Sequence, residues 1–451
     1  MKKTIYLLVA IIFCACSSST SGQDVTGVWY GVLKVQGQEL AMSFDVKKDV
    51  DLYSATISVP QQGMKNTLVK TTTFNNDTLT FEIPQLSFVY KGVVTKDESI
   101  KGSFIQFGQE YPLALGREKT FEDAKRPQEP KPPYPYLSED IKFKNEEAGI
   151  NLAGTITIPK EKGKYPAVVL VSGSGSQNRN EEVFDHKPFL VLSDYLTRNG
   201  IAVLRYDDRG FAESEGDART ATTADFATDA MAGVRYLKSR KEIDSRNIGI
   251  IGHSEGGIIA FMLAAKEKDV AFVISMAGSA IQGDSILILQ NEAAGRGYGM
   301  TEEALEGARA MNRAIYDVLL YTDEEKEMEG KLTSILGESP NAKAQIKQML
   351  SSWMRFFLKY DPATDIRNIH IPAFVLFGGK DVQVLAEPNA EAFKNNIPST
   401  NKKTEVKIYP DKNHLFQNAV TGMGSEYQQI EETINPEVLQ DIVGWIKGVT
   451  K

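Results

Sequence analysis

Cysteine is nearly absent: the 451 residues hold two, Cys14 and Cys16. Both lie at the N-terminus, so an internal disulfide framework is not expected and stability must come from a packed core. Histidine is almost as scarce, with four in all, and no His/Cys spacing matches a metal site. No stripe of Lys and Arg is present, and the formal net charge of −8 argues against a nucleic-acid partner. A nucleotide fingerprint is missing too. Gly173 and Gly175 begin a G-x-G, but Asn178 stands where the third glycine belongs, and no Walker pattern occurs. No cofactor is expected.

What is present describes a globular protein: 42% apolar residues, 24% charged residues and 36 glycines. The length exceeds one ordinary core. Lys2 and Lys3 precede the apolar run 5–13, a charged region followed by a stretch too short to span a bilayer, which reads as an export signal. Cys14, Ala15 and Cys16 follow, then the small-polar "SSSTSGQD". The pattern resembles a bacterial lipoprotein signal with Cys16 acylated. That implies a signal at 1–16, a tether at 17–23 and a mature protein in the cell envelope or periplasm, anchored to a membrane through Cys16. Ordinary signal cleavage is the alternative.

Residues 24–118 consist of short β-rich runs such as "TGVWYGVLKV", "LYSATISV" and "LSFVYKGVVT", broken by Gly, Asn, Asp and Pro. This spacing predicts a small all-β barrel or sandwich with Trp29, Tyr30, Phe44, Phe81, Phe88 and Phe104 as packing residues. Five prolines within 119–137 predict an extended, semi-rigid linker. From 138 the rhythm changes. Apolar runs without alternation, such as "YPAVVLV", "NIGIIGH" and "IPAFVLF", alternate with amphipathic segments. This predicts a doubly wound α/β domain over 138–451 with a mostly parallel sheet and its ligand site at the carboxyl ends of the strands. A charged helical insertion at about 280–362 is placed to cap those ends. Its Met311, Tyr316, Met349, Trp353, Met354, Phe356 and Phe357 either line a pocket or pack helices together.

The candidate chemistry centres on "GHSEG", 252–256, between an apolar strand and an apolar helix. In that context the glycines permit a sharp turn that exposes Ser254 at the helix N-terminus. A serine hydroxyl needs a base and an orienting acid. His253 sits inside the turn, while His186 and His370 lie at element starts. His414 follows a strand near the C-terminus and is the candidate base. Asp381, directly after "AFVLFGG", is the candidate acid by chain order. Asp411 is the runner-up, and Asp365 lies at the wrong strand end. The oxyanion donors are the backbone N–H of Glu255 and an amide of "VSGSGS", Ser174 first and Gly175 second. Asp207, Asp208 and Arg209 read as a structural charged turn. Trp353 and His186 are candidate substrate contacts.

Residues from about 140 onward resemble the carboxylesterase branch of the α/β-hydrolase superfamily, close to the serine-aminopeptidase-like hydrolases. "GSGSQNRNE", "IGHSEGG", "GGKDVQV" and "NHLFQ" carry the similarity. The β-rich segment is similar to one that precedes such secreted bacterial hydrolases. Ser176 departs from a frequent proline. The resemblance implies hydrolysis of a small-molecule ester through Ser254, Asp381 and His414, with activity falling at acid pH because the base must start neutral. An aminopeptidase ranks second, since no acidic cluster plainly holds a substrate amine. Acyl transfer to an alcohol is a third reading, and a non-catalytic envelope binding protein ranks last.

Overall fold

The computed structural model describes residues 23–450 apart from 36–37, 51, 60–63, 85–87, 107–108 and 123–124. The segment read as an export signal, with Cys16, lies outside the described residues. Two compact units divide the chain, Met1–Glu122 and Asp123–Lys451.

The first unit is all β. Strands β1 (Gly27–Val35), β2 (Gln38–Asp49), β3 (Leu52–Val59) and β4 (Met64–Leu68) form one antiparallel meander. A second meander contains β5 (Thr71–Asn75), β6 (Thr78–Ile83), β7 (Phe88–Val94), β8 (Ile100–Gln106) and β9 (Gln109–Leu115). Tyr30 and Gly116 exchange two backbone hydrogen bonds of 2.8 Å, joining the outer edges barrel-fashion. Alternation is clear in β6, where Leu79, Phe81 and Ile83 face inward. Phe81 stacks on Phe44 at 4.6 Å, and Trp29 is buried beneath the Arg117 guanidinium. Phe88 and Phe104 join this core, while Tyr30 packs edge-on against Phe121. The short, polar β4 and β5 escape a pattern-based reading because they carry few apolar residues.

The second unit holds an eight-stranded sheet of β10 (Leu137–Asn145), β11 (Ile150–Ile158), β12 (Tyr165–Val171), β13 (Ala202–Tyr206), β14 (Ile243–His253), β15 (Phe272–Met276), β16 (Ala373–Gly378) and β17 (Glu405–Tyr409). Its order is β10-β11-β13-β12-β14-β15-β16-β17. Strand β11 runs antiparallel to both of its neighbours, β10 and β13, and from β13 through β12 to β17 every adjacent pair is parallel. The central strands are buried on both faces, which explains their unbroken apolar runs. Helices α1 (Pro188–Arg198), α2 (Thr223–Ser239) and α3 (Glu255–Lys266) flank the sheet. Helices α4 (Gly283–Gly297), α5 (Glu302–Tyr321), α6 (Glu325–Leu336), α7 (Pro340–Met349) and α8 (Ser352–Lys359) make the insertion, with their own apolar centre around Tyr316, Leu319, Met328 and Leu332. The short α9 (Pro362–Ile366) returns the chain to the sheet, and α10 (Ala386–Asn396), α11 (Gly424–Tyr427) and α12 (Pro436–Val449) complete the unit.

The proline-rich segment departs from the spacer expected of it. Arg126 donates to the carbonyls of Phe184, Asp185, Gln428 and Ile430, and Gln128 bonds the main chain of Thr433 and Ile434. Composition made this stretch extended; side-chain bonds lash it to the α/β unit.

Candidate active site

Strand β14 delivers Ser254 and α3 leaves from it. Ser254 has φ 53° and ψ −116°, a left-handed conformation costly for a side-chain-bearing residue. The turn survives because its flanks carry no Cβ: one at Gly252 would collide with the Gly256 carbonyl, and one at Gly256 with that of Val171. Further restraints come from the Ser254 N–H, which donates to Met276 O at 2.8 Å, and from the Ser254 carbonyl, which accepts from Gly257 at 2.9 Å.

The other two expected members come from loops after β16 and β17. His414 Nδ1 lies 2.7 Å from Asp381 Oδ2, with both side chains buried. Asp381 Oδ1 accepts the backbone N–H groups of Gln383 at 2.7 Å and Val384 at 2.9 Å, so the carboxylate is oriented from both sides. Asp411 is exposed and pairs only loosely with Lys412, and Asp365 sits under Tyr360 and Lys266 away from the imidazole. Ser254 and His414 face one cavity of about 360 Å³. No Ser254–His414 hydrogen bond is formed among the described residues; such contacts commonly stay long until substrate draws them in.

Glu255 opens α3, and its backbone N–H is one of the orphan donors of a helix start. Its carboxylate is buried and reaches three elements. Thr223 Oγ1 of α2 donates at 2.6 Å, Trp353 Nε1 of the insertion at 2.8 Å, and the Ser174 hydroxyl also bonds it. Burial holds this carboxyl above its ordinary range, opposed by those three neutral donors. Ser174 lines the same cavity, whereas Gly175, at φ 91°, lines a smaller space beside Asp208.

Two expectations are corrected. His186 is no substrate contact: it is 0% exposed, with Nδ1 2.9 Å from Thr433 Oγ1 and Nε2 2.9 Å from Tyr427 O. Burial pulls it down to about 4. In the charged turn, Asp207 pairs with Arg179 at 2.6 Å and Arg209 with Asp229 at 2.6 Å, but Asp208 forms no ion pair among the described residues. It braces the loop after β12, accepting Ser172 Oγ and Gln177 N at 2.8 Å each, and burial pushes it up to about 7. Of the insertion residues singled out, Trp353 and Phe357 line the cavity as a stacked pair at 5.1 Å. Met311 points outward, and Tyr316 packs inside the insertion.

Sequence reasoning missed Glu181, buried at φ 51° in the loop after β12, and the work of His253. Glu181 Oε1 lies 2.9 Å from His253 Nδ1 and accepts the Gly173 N–H at 2.9 Å. Tyr427, edge-on to Phe184, was also missed and closes another side of the cavity. Among the described residues, no group of three or more His, Cys, Asp or Glu is placed to hold a metal ion, and no helix is long and apolar enough to cross a membrane.

A mostly parallel sheet with a serine elbow between strand and helix defines an α/β-hydrolase. Residues 186–419, a little over half of the chain, match the family model "Serine aminopeptidase, S33", and the chain belongs to that family. It is 26% identical to Esterase EstD of Thermotoga maritima over 320 residues, 67% of this chain and 68% of the relative. An acyl transferase of Photobacterium leiognathi is 32% identical over 123 residues, 27% of this chain and 36% of that protein. Among solved structures, the Pyrococcus furiosus esterase Pf2001 is similar at a TM-score of 0.45 and 14% identity, over 73% of this chain and 99% of that one.

Proposed function

We propose that the protein hydrolyses carboxylic esters through Ser254, His414 and Asp381. The observation that carries this reading is the pairing of a strained Ser254 with the His414–Asp381 couple on one cavity. His414 takes the Ser254 proton as Oγ attacks the ester carbonyl, and Asp381 fixes the imidazole tautomer and stabilises its charged form. The oxyanion accepts from the Glu255 and Ser174 amides, each worth on the order of 3 kcal/mol. Collapse expels the alcohol, protonated by His414. Water, deprotonated by the same imidazole, then releases the acid and restores Ser254.

Two features favour a neutral ester. Among the described residues, the cavity wall includes neither Lys nor Arg, and both ring nitrogens of His253 are engaged by Glu181 and the His414 carbonyl, so a carboxylate or phosphate on the substrate finds no free cationic donor among them. Its two glutamates are engaged, Glu181 by His253 and Gly173 and Glu255 by Thr223, Trp353 and Ser174. Esterase EstD adds support by similarity.

The test combines short-chain nitrophenyl esters, aminoacyl nitroanilides and a fluorophosphonate probe on wild type and Ser254→Ala. Ester turnover and labelling that vanish together in the variant support the reading; a higher kcat/KM on the nitroanilides replaces it with the peptidase. Alcohol added during turnover exposes acyl transfer as a new ester product. Export with an acylated Cys16 belongs to the same proposal and is checked by incorporation of labelled palmitate that Cys16→Ser abolishes.

A further inference from the structure

His253 occupies the variable position of the elbow motif, where a side chain usually serves packing alone. Here both ring nitrogens are committed. Nε2 lies 2.9 Å from the backbone oxygen of His414, and Nδ1 lies 2.9 Å from Glu181 Oε1. A carbonyl only accepts, so Nε2 carries a proton. Nδ1 faces a carboxylate oxygen that already accepts the Gly173 N–H, so a second proton on the imidazole satisfies every partner as a charge-assisted bond. Glu181 Oε2 is buried and without a partner among the described residues, so a proton placed there finds no acceptor. The titratable groups facing His253 act in the same direction. Burial disfavours its charged form, but the charge and hydrogen bond of Glu181, the His414 carbonyl and the Asp381 charge outweigh this and leave the imidazole raised. The His414 ring lies 4.7 Å from it, centre to centre.

The reach of the pair is what matters. Gly173 adjoins the oxyanion donor Ser174, His253 adjoins the nucleophile, and the carbonyl held by Nε2 belongs to the base itself. Space between these parts is tight: a Cβ on Gly173 would lie 3.1 Å from Ser254 Cβ and 3.5 Å from Glu181 Oε1. Glu181 enters this space from a left-handed backbone at φ 51°, a conformation that persists only where surroundings enforce it.

We propose that Glu181 and His253 form a buried carboxylate–imidazolium pair that positions the reaction centre, locking the oxyanion loop, the nucleophile elbow and the main chain of the base loop in one register. Its kinetic consequence rests on the Ser254 reading above; the protonation of His253 does not. Neither residue is assigned a bond to the reacting atoms. Glu181→Gln removes the charge and cannot keep both bonds to a neutral His253: Oε1 serves Gly173 and Nδ1 alike, so an amide oxygen there keeps Gly173 but gives a neutral Nδ1 no donor, and an NH₂ there serves Nδ1 but gives up Gly173.

The experiment uses the full chain. With ring-nitrogen labels on histidine, assigned through His253→Gln, wild-type His253 shows two proton-bearing nitrogens about one pH unit above the ordinary histidine value of about 6.5, and Glu181→Gln shows one. On a nitrophenyl ester, Glu181→Gln lowers kcat tenfold or more with KM within about twofold, the pattern of reacting groups displaced rather than substrate lost. One protonated nitrogen on wild-type His253, or a smaller fall in kcat in a folded Glu181→Gln, overturns the proposal. Should that variant not fold, the wild-type spectrum decides. If wild type neither turns over esters nor labels at Ser254, the hydrolytic reading fails while the spectrum still decides the ion pair.

Discussion

Replacing Asp381 by asparagine tests the couple at the centre of the site with almost no change in shape. The native carboxylate has two acceptor oxygens and uses both, Oδ1 for the N–H groups of Gln383 and Val384 and Oδ2 for His414 Nδ1. Asparagine has one. If its oxygen stays with the two turn amides, its NH₂ faces Nδ1, which must then accept, and the imidazole proton moves to Nε2. That nitrogen can no longer take the Ser254 proton, and a tautomer error of this kind costs about 10⁴-fold in kcat, or about 5 kcal/mol. If the amide turns over, two buried N–H groups lose their acceptor, at about 1–3 kcal/mol each. The first arrangement costs less, so the expected result is a folded Asp381→Asn protein with a melting temperature near wild type and kcat on a nitrophenyl ester lowered about 10⁴-fold. Fluorophosphonate labelling slows in parallel, because it needs the same proton transfer. A folded variant with kcat within tenfold of wild type would refute the reasoning.

Gly256→Ala drives a methyl into the Val171 carbonyl at the end of β12. It is expected to lower stability by at least about 3 kcal/mol or to abolish folding, read by denaturant titration. Trp353→Phe keeps an aromatic ring beside Phe357 but removes the Nε1–H that serves Glu255. Leaving a buried acceptor one donor short costs about 1–3 kcal/mol, so kcat/KM on the preferred ester falls about tenfold; an unchanged value shows that Glu255 does not depend on the insertion. His186 makes a pH prediction. The folded protein keeps it neutral down to about 4, whereas an unfolded chain takes up that proton near 6.5, so its contribution is intact above about 6.5 and is lost as pH falls towards about 4. The loss is about 3 kcal/mol, and chemical denaturation across that range shows a steeper acid decline for wild type than for His186→Asn.

The elbow and its partners were legible because each answers a demand that sequence can display: glycines where helix and strand must touch, a serine between them, and a base and an acid just past later strand ends. Four histidines made the search for the base short. The supporting groups announce themselves less. Glu181 stands in the acidic stretch "NRNEE", which reads as a solvated loop, and only a left-handed backbone turns its side chain inward. Asp208 shares a charged turn with two salt-bridging neighbours, and what sets it apart is the loop that folds over it. In the insertion, Trp353, named as a candidate substrate contact, lines the cavity, whereas Tyr316, grouped with it as lining or packing, sits in the insertion's own centre, a difference that composition does not display. Strands β10 and β11 precede the regular strand–helix rhythm, and their antiparallel pairing follows from the register of neighbours rather than from their own composition.

The unfavourable features of the site lie close together, and that placement has a physical reason. Ser254 and Glu181 both hold left-handed backbones, and Glu181, Glu255, Asp208 and Asp381 are all buried carboxyls. Each alone costs stability. They persist because they brace one another and the chain around them: Glu181 holds Gly173, Glu255 holds Ser174, and Asp208 holds Ser172 and Gln177. Residues 172–177 are thus fixed from three directions by side chains beyond that stretch, while Ser254 is fixed by backbone sterics and His414 by Asp381 and by His253. A loop held in this way need not reorganise as charge develops on the substrate oxygen, which is the condition under which backbone amides are most effective.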